Sequence, residues 1–272
     1  MSPPAQEIAP AKLNLALHVR GKLPDGRHAI ETVFAFCTDG DRLSANACEH
    51  IWLETIGPFA EELEGSDNLV TKAAMLLRDR RGTAILDGAA RITLDKRLPV
   101  ASGLGGGSAD AAAALRMLTS MWGTDPMHAQ EIAPTLGSDV PACLLSLSMR
   151  GEGPGDQLTL IDLSDLSGAP VLLVNPRVPL STAAVFASWD GVDRGPLGNW
   201  REGRNDLEAP AISLVPQIET ILAWLAAQPG ATFTRMSGSG ATCFALFDSE
   251  ETRDAAADAV PREWWRLATF LR

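Results

Sequence analysis

Strict alternation marks the first readable element. Between residues 12 and 19, Leu13, Leu15, Leu17 and Val19 share one parity and Lys12, Asn14, Ala16 and His18 the other. That two-residue period predicts a strand with one face buried and one toward solvent. Pro24-Asp25-Gly26 supplies a turn, and 32–37 reads as a strand returning from it. The period then changes: Leu69, Ala73, Leu76 and Leu77 recur at helical spacing within 68–80, with Asp67 placed as N-cap and Gly82 as terminator. A strand follows at 90–95, then a loop at 99–108, then a helix-forming run at 109–122 that Gly123 closes. Asp125-Pro126 reads as N-cap and first residue of a short helix that Pro134 should end. Beyond Pro141 the apolar 142–147 continues in structure, 171–174 is a buried strand, 206–227 contains a helix, and 241–247 is a strand.

Helices and strands mix here without a regular strand-helix-strand beat, which predicts an α+β protein in two lobes rather than a doubly wound sheet. The Gly151-Glu-Gly-Pro-Gly155 segment is the break in composition. Residues 1–155 are therefore expected to form an N-terminal domain and 156–272 a C-terminal one, as a length of 272 residues allows at about 150 per domain.

Composition narrows the function classes. With 46% hydrophobic and 21% charged residues the chain is neither disordered, collagen-like nor a coiled coil. Lys plus Arg number 23 against 34 Asp plus Glu, a net charge of −11 with no basic patch, so nucleic acid is not expected as a partner. The longest uncharged apolar stretch, 221–227, falls far short of the roughly 20 residues of a membrane span. The opening Met-Ser-Pro-Pro-Ala-Gln-Glu lacks the basic and apolar segments of a secretory signal, and a cytoplasmic protein is expected. Cys37, Cys48, Cys143 and Cys243 are scattered without Cys-x-x-Cys spacing and read as reduced core thiols. His18, His50 and His128 read as structural or solvent-facing. Lysine occurs only as Lys12, Lys22, Lys72 and Lys96, so an anion site that needs one draws on the first part of the chain.

The chemistry concentrates in the loop before the second helix. Gly103, Gly105, Gly106 and Gly107 strip side chains from the backbone just where Ser108 starts a helix, and exposed N–H groups at such a point attract anions. No lysine follows the loop, which excludes a Walker motif, and Ser108 stands where the dinucleotide fingerprint needs glycine. A phosphate cradle of a third kind is left. Ser108 either turns its hydroxyl to a phosphate oxygen or a magnesium ion, or caps the helix. Asp110, in the first turn, suits the helix dipole. Asp139, taken alone, reads as a cap before Pro141, and His28 as a turn histidine.

Pro99-x3-Gly103-Leu-Gly-Gly-Gly-Ser108-Ala-Asp-Ala resembles the phosphate loop of the GHMP kinases. Ala11-Lys-Leu-Asn-Leu15, Asp25-Gly-Arg-His28, Gly137-Ser-Asp-Val-Pro141, Asn205-Asp-Leu-Glu208 and Met236-Ser-Gly-Ser-Gly240 are similar to motifs of one branch of that family. The resemblance implies a two-lobed GHMP kinase fold, with a ribosomal-S5-like N-terminal lobe for ATP binding and catalysis and a ferredoxin-like C-terminal lobe for the acceptor. It also implies ATP as co-substrate, Mg2+, and phosphoryl transfer to a hydroxyl of a small molecule, a cytidylated methylerythritol in that branch. It assigns no metal ligands and leaves the oligomeric state open.

Carried over position by position, the resemblance makes Lys12 and Asp139 the catalytic pair. Asp139 accepts the hydroxyl proton, while Lys12 keeps Asp139 ionised and neutralises the γ-phosphate. It places Pro99, Val100, Ala101, Ser102, Gly103, Leu104, Gly105, Gly106, Gly107, Ser108 and Ala109 at ATP, with Asn68 and Lys96 beside the nucleotide. It places Asn14, Arg27, His28, Phe186, Gly238, Ser239 and Gly240 at the acceptor. Arg27 departs from the family, which has a tyrosine stacked on cytosine there; this chain has no tyrosine at all. A planar guanidinium can stack on a base in its stead. Phe186 matches the aromatic expected on the base's other face.

Overall fold

Alternation over 12–19 does produce a strand, but a longer one with both faces covered. In the computed structural model, which describes residues 4–63, 67–80 and 89–272, β1 runs Ala5–Lys22 and is buried on both faces from Ala9 to Val19. Lys12, Asn14 and His18, expected on a solvent face, are nearly inaccessible. The segment around Asn205 lies along this strand: Leu17 N donates to Arg204 O, Asp206 N to Leu17 O, and Val19 N to Asp206 Oδ2 at 2.8 Å. The covering segment is remote in sequence, so alternation alone could not reveal it. The next strand, β2, spans His28–Cys48 and includes the expected 32–37.

The chain divides into two compact units, each mixing helix and sheet as an α+β protein does; β1 and β2 contribute to both. The first comprises residues up to 11, 39–100 and 105–146. In it β3 (Trp52–Ile56) pairs in parallel with β4 (Ala89–Asp95), which pairs antiparallel with β2 from Arg42↔Asp95 to Cys48↔Ala89. Four helices complete it: α1 (Leu69–Arg80), α2 (Gly106–Trp122), α3 (Pro126–Leu136) and α4 (Val140–Leu145), with α2 packed on the other three. Ala109 and Ala111 to Ala114 let neighbours approach α2 closely, and all five are buried.

Several local expectations shift. Asn68, not Asp67, caps α1, with its Oδ1 accepting from Val70 N at 2.9 Å; Gly82 lies outside the described residues. The helix expected at 109 begins at Gly106, because Gly105 turns the chain with φ 64°. Ser108 is thus inside the first turn and is not the cap, and Asp110 falls in the second turn. Gly123 closes α2 in the left-handed conformation, φ 61°. Asp125 caps α3 through Met127 N, as its sequence implies, but Pro134 does not end that helix. The helix continues to Leu136, whose burial with Ile132 and Ala133 holds the last turn in place against the missing N–H.

The second unit comprises 12–38, 101–104 and 147–272. The strands β5 (Met149–Glu152) and β6 (Gln157–Leu160) form an antiparallel hairpin, and the glycine-rich 151–155 segment makes its bend. The strand β7 (Pro170–Asn175) is followed by α5 (Thr182–Ala187), α6 (Glu208–Leu214), α7 (Gln217–Ala226), β8 (Ala231–Met236), β9 (Cys243–Phe247), α8 (Glu250–Ala259) and β10 (Trp265–Phe270). The four strands form an antiparallel sheet in the order β10-β7-β9-β8. Every residue of β9 and all of β7 after Pro170 are buried, as central strands with both faces covered require. Leu172, Val174, Ile218, Ile221, Leu225 and Phe247 share its core. The single helix expected within 206–227 is two, parted at Pro216, which heads α7. Cys37, Cys143 and Cys243 are buried thiols as expected, whereas Cys48 is exposed. Among the described residues no helix is long and apolar enough to cross a membrane.

Candidate active site

Two residues apart on β1, Lys12 and Asn14 point to the same side. Lys12 retains only 4% exposure; its Nζ donates to Asn14 Oδ1 at 2.8 Å and lies 5.1 Å from the centroid of the Phe34 ring. A buried ammonium is costly without such partners. Asn14 is engaged at both ends, since its Nδ2 donates to Thr32 Oγ1 at 2.8 Å and that hydroxyl donates to Ala16 O at 2.6 Å. The lysine is therefore held by a chain of fixed dipoles.

The first part of the glycine loop is clamped in the same unit. Lys12 N donates to Leu104 O at 3.0 Å, Thr242 N to Ser102 O at 3.1 Å, and Ser237 Oγ to Gly103 O at 2.9 Å. Ser237 Oγ also accepts from Asn14 N at 3.2 Å. Gly103 has no alternative: φ is +80°, and a Cβ there would come within 2.2 Å of Ser237 O. Asn205 Nδ2 donates to Met236 O and Gly238 O at 2.9 and 2.8 Å, fixing the turn that carries Gly238, Ser239 and Gly240. Ser239 Oγ is 2.8 Å from Thr182 Oγ1. Ser237, Asn205, Thr32 and Phe34 were not singled out from sequence. Ser237 and Asn205 stand inside the quoted motifs, which was the available signal; nothing local marks Thr32 or Phe34. Ala101, exposed with φ 49°, is the loop's one non-glycine in the left-handed region.

At the head of α2, in the other unit, the glycines have different reasons. A Cβ on Gly106 would lie 3.0 Å from Lys96 Nζ, so a buried side chain claims that space. Gly107 has no such excuse: a Cβ there would meet only Leu69 Cδ1, at 3.9 Å. No neighbouring atom therefore requires glycine at 107. Lys96 is 2% exposed and donates to Asp41 Oδ2 and Asp110 Oδ2 at 2.6 Å each. Asp110, expected to face the dipole from the first turn, is instead half of this ion cluster. Asp139 occupies the cap position of α4, and its side chain makes no capping hydrogen bond there.

A third group lies around His28. Its ring stacks on Phe186 with centroids 4.6 Å apart and an interplanar angle of 24°, and meets the Trp189 ring edge-on at 5.8 Å. His28 Nε2 is buried and makes no hydrogen bond among the described residues. Burial, helped by the charge of Lys22, lowers the imidazole pKa, so the ring is neutral near pH 7 with Nε2 unused. Trp189 also lines a cavity of about 410 Å³ with Arg204, Asp206, Ala209 and Pro210. Phe186 thus packs on His28 itself. Arg27 turns to Asp25, Nε to Oδ2 at 2.8 Å, with its side chain largely exposed. His18 uses both ring nitrogens, Nδ1 toward Gly195 O and Nε2 accepting from Arg204 N, and is structural as expected. Among the described residues no three His, Cys, Asp or Glu side chains gather as a metal site.

Comparison with known proteins gives this geometry a context. Residues 68–147 match the family model of the GHMP kinases N terminal domain, and 192–267 match that of the GHMP kinases C terminal domain. The chain is 53% identical to a 4-diphosphocytidyl-2-C-methyl-D-erythritol kinase of Rhizorhabdus wittichii, over 98% of this chain and 94% of that one. It is 50% identical to the protein of the same name from Novosphingobium aromaticivorans, over 98% and 93%. A crystal structure of 4-(cytidine 5'-diphospho)-2C-methyl-D-erythritol kinase superposes with a TM-score of 0.84 at 31% identity, covering 98% of each chain. Homoserine kinase from Cytophaga hutchinsonii shares the fold alone, at 15% identity and a TM-score of 0.69.

Proposed function

The chain belongs to the GHMP kinases, and from that premise we propose that it transfers the γ-phosphoryl group of ATP to the 2-hydroxyl of 4-diphosphocytidyl-2-C-methyl-D-erythritol. The products are the 2-phosphate and ADP, in the non-mevalonate route to isoprenoid precursors. The observation that carries the reading is the 53% identity, over 98% of the chain, to a kinase named for that acceptor.

Phosphoryl transfer passes through a loose transition state in which positioning and charge neutralisation matter more than strong base chemistry. In this reading the amides at the head of α2 and the loop 99–109 bind the triphosphate, with Asn68 and Lys96 flanking the nucleotide. Asp139 takes the acceptor's hydroxyl proton as the new O–P bond forms and the β,γ-bridging O–P bond breaks. Lys12 balances the charge that develops on the transferred group. ATP enters as its magnesium complex, with the ion carried on the phosphate oxygens as part of the substrate. Asn14 orients Lys12, and His28 Nε2, Phe186 and Arg27 recognise the cytosine end, with the 238–240 turn beside the acceptor. In this reading the N-terminal lobe serves ATP and the C-terminal lobe the acceptor, apart from Asn14, Arg27 and His28. We read the protein as a cytosolic enzyme of small molecules; its charge of −11 is unsuited to nucleic acid.

Turnover with the cytidylated acceptor, homoserine, mevalonate and galactose, measured side by side, tests this reading. The cytidylated alcohol should be preferred by at least about a hundredfold in kcat/KM, the range that a site built around hydrogen bonds to the distinguishing group supports. Equal use of another alcohol would refute it. In His28→Ala the preference over uncytidylated methylerythritol should shrink by about tenfold or more; an unchanged ratio removes His28 from recognition. Gly107→Ala separates ligand from fold. Melting temperature should hold or rise, since alanine is the better helix residue, while KM for ATP should rise by about tenfold. An unchanged KM would mean that no phosphate lies against the head of α2.

A further inference from the structure

Beneath the head of α2 sits a charge imbalance that phosphate binding would feel. Asp41, Lys96 and Asp110 come from β2, the end of β4 and α2, and all three side chains are almost fully buried. One ammonium meets two carboxylates, which leaves one negative charge too many. Asp41 is well satisfied, because its Oδ1 accepts from Arg97 N and Leu98 N at 2.5 and 2.8 Å. Asp110 is not: its Oδ1 is buried and has no hydrogen-bond partner among the described residues. The surplus therefore falls on Asp110. The cluster is also close to the helix head, since the position of a Gly106 Cβ is 3.0 Å from Lys96 Nζ and 3.7 Å from Asp41 Oδ2.

We propose that Asp110 is a positioning residue of the nucleotide site, and that the Asp41–Lys96–Asp110 cluster becomes more fully protonated, by uptake from solvent onto the Asp110 carboxylate, when a triphosphate binds at the head of α2. This rests on the kinase reading above and deepens it. A bound polyphosphate adds negative charge next to a cluster already negative by one. Adding a proton to Asp110 makes the cluster neutral, removes the cost of an unsolvated charge on the orphaned oxygen, and restores the attraction of the helix N-terminus. Burial already pushes the Asp110 carboxyl up to about 7, against the pull of Lys96 and with the push of Asp41, so the proton is exchangeable near neutrality. Burial works against the charge on Lys96, but the two carboxylates outweigh it and raise its pKa, so lysine remains the ammonium. The charges acting most strongly on Asp110 are those of Lys96 and Asp41. Lys72, Arg78, Asp79 and Arg80 of α1 and Glu131 of α3 are exposed, His128 of α3 is not among the groups acting on Asp110, and α4 carries only Cys143 after the flanking Asp139.

The test is calorimetric binding of magnesium ATP to the full chain at several pH values, in buffers of different ionisation enthalpy, with wild type and Asp110→Asn, the neutral isostere. One elementary charge acting across about 10 Å at an effective dielectric of about 30 corresponds to a five- to tenfold effect on affinity. Wild type should therefore lose about that factor between pH 6 and pH 8.5 relative to the variant. It should also take up about half a proton at pH 7.5 beyond what the free nucleotide's own titration supplies, and the variant should take up none. Parallel pH profiles with normal binding and turnover would overturn the inference and leave the kinase reading intact. Failure to bind or turn over ATP at any pH would sink the kinase reading, and this inference with it. The wild-type proton count decides the matter even if Asp110→Asn does not fold.

Discussion

Asp139→Asn is expected to lower kcat by about a thousandfold while moving KM for ATP by no more than a few-fold. Loss of a positioned proton acceptor costs between about a hundred and ten thousandfold, and an interaction used only in the transition state appears in kcat and not in ground-state binding. Asparagine preserves size and polarity, and the Asp139 side chain does not cap α4. The helix should therefore stand, and a fall in turnover would report chemistry rather than unfolding. A steady-state assay over a range of ATP concentrations, with circular dichroism as the folding control, checks both halves of the expectation. If KM rose by the same factor by which kcat fell, Asp139 would be a nucleotide contact instead.

The second large effect is expected at Gly103. Alanine there must adopt φ near +80° and bring its Cβ to 2.2 Å from the backbone oxygen of Ser237, a contact no side-chain rotation relieves. Left-handed strain and overpacking together should cost about 2–4 kcal/mol, or roughly 5–15 °C in melting temperature for a chain of this size. The same displacement would pull at Leu104 O, which accepts from Lys12 N, so activity should fall further than stability alone explains. Thermal denaturation of Gly103→Ala beside Gly107→Ala gives the contrast: a large loss in the first and none in the second. Comparable melting points for the two would mean that the loop yields where the geometry says it cannot.

What the residues disclosed in advance was local and repetitive. Leu13 to Val19 betray a strand by parity, Asp125-Pro126 a helix start by backbone chemistry, and Gly123 a helix end by its freedom at positive φ. The motif segments pointed to the phosphate loop, Lys12 and Asp139 because each is a short, contiguous run. What stayed hidden depends on distant partners. Burial of Lys12, Asn14 and His18 is imposed by residues near 205 and 237, and the neighbouring cap formers Asp67 and Asn68 are equivalent until a fold chooses. Gly106 looked like part of the phosphate cradle, but the space beside it belongs to a lysine ten residues earlier. Asp110 looked like a dipole partner because its true partners, Asp41 and Lys96, lie on other elements. Likewise, the stacking of His28 on Phe186 joins the start of β2 to a helix far along the chain.

We propose that Lys12 and Asp139 act together on one hydroxyl. A double-mutant cycle in kcat measures it, using Lys12→Met, Asp139→Asn and the combined variant. Residues that work as a unit give strongly non-additive losses, so the combined variant should be no more than about threefold slower than the slower single variant. Losses that multiply, or a single variant that turns over at the wild-type rate, would contradict it.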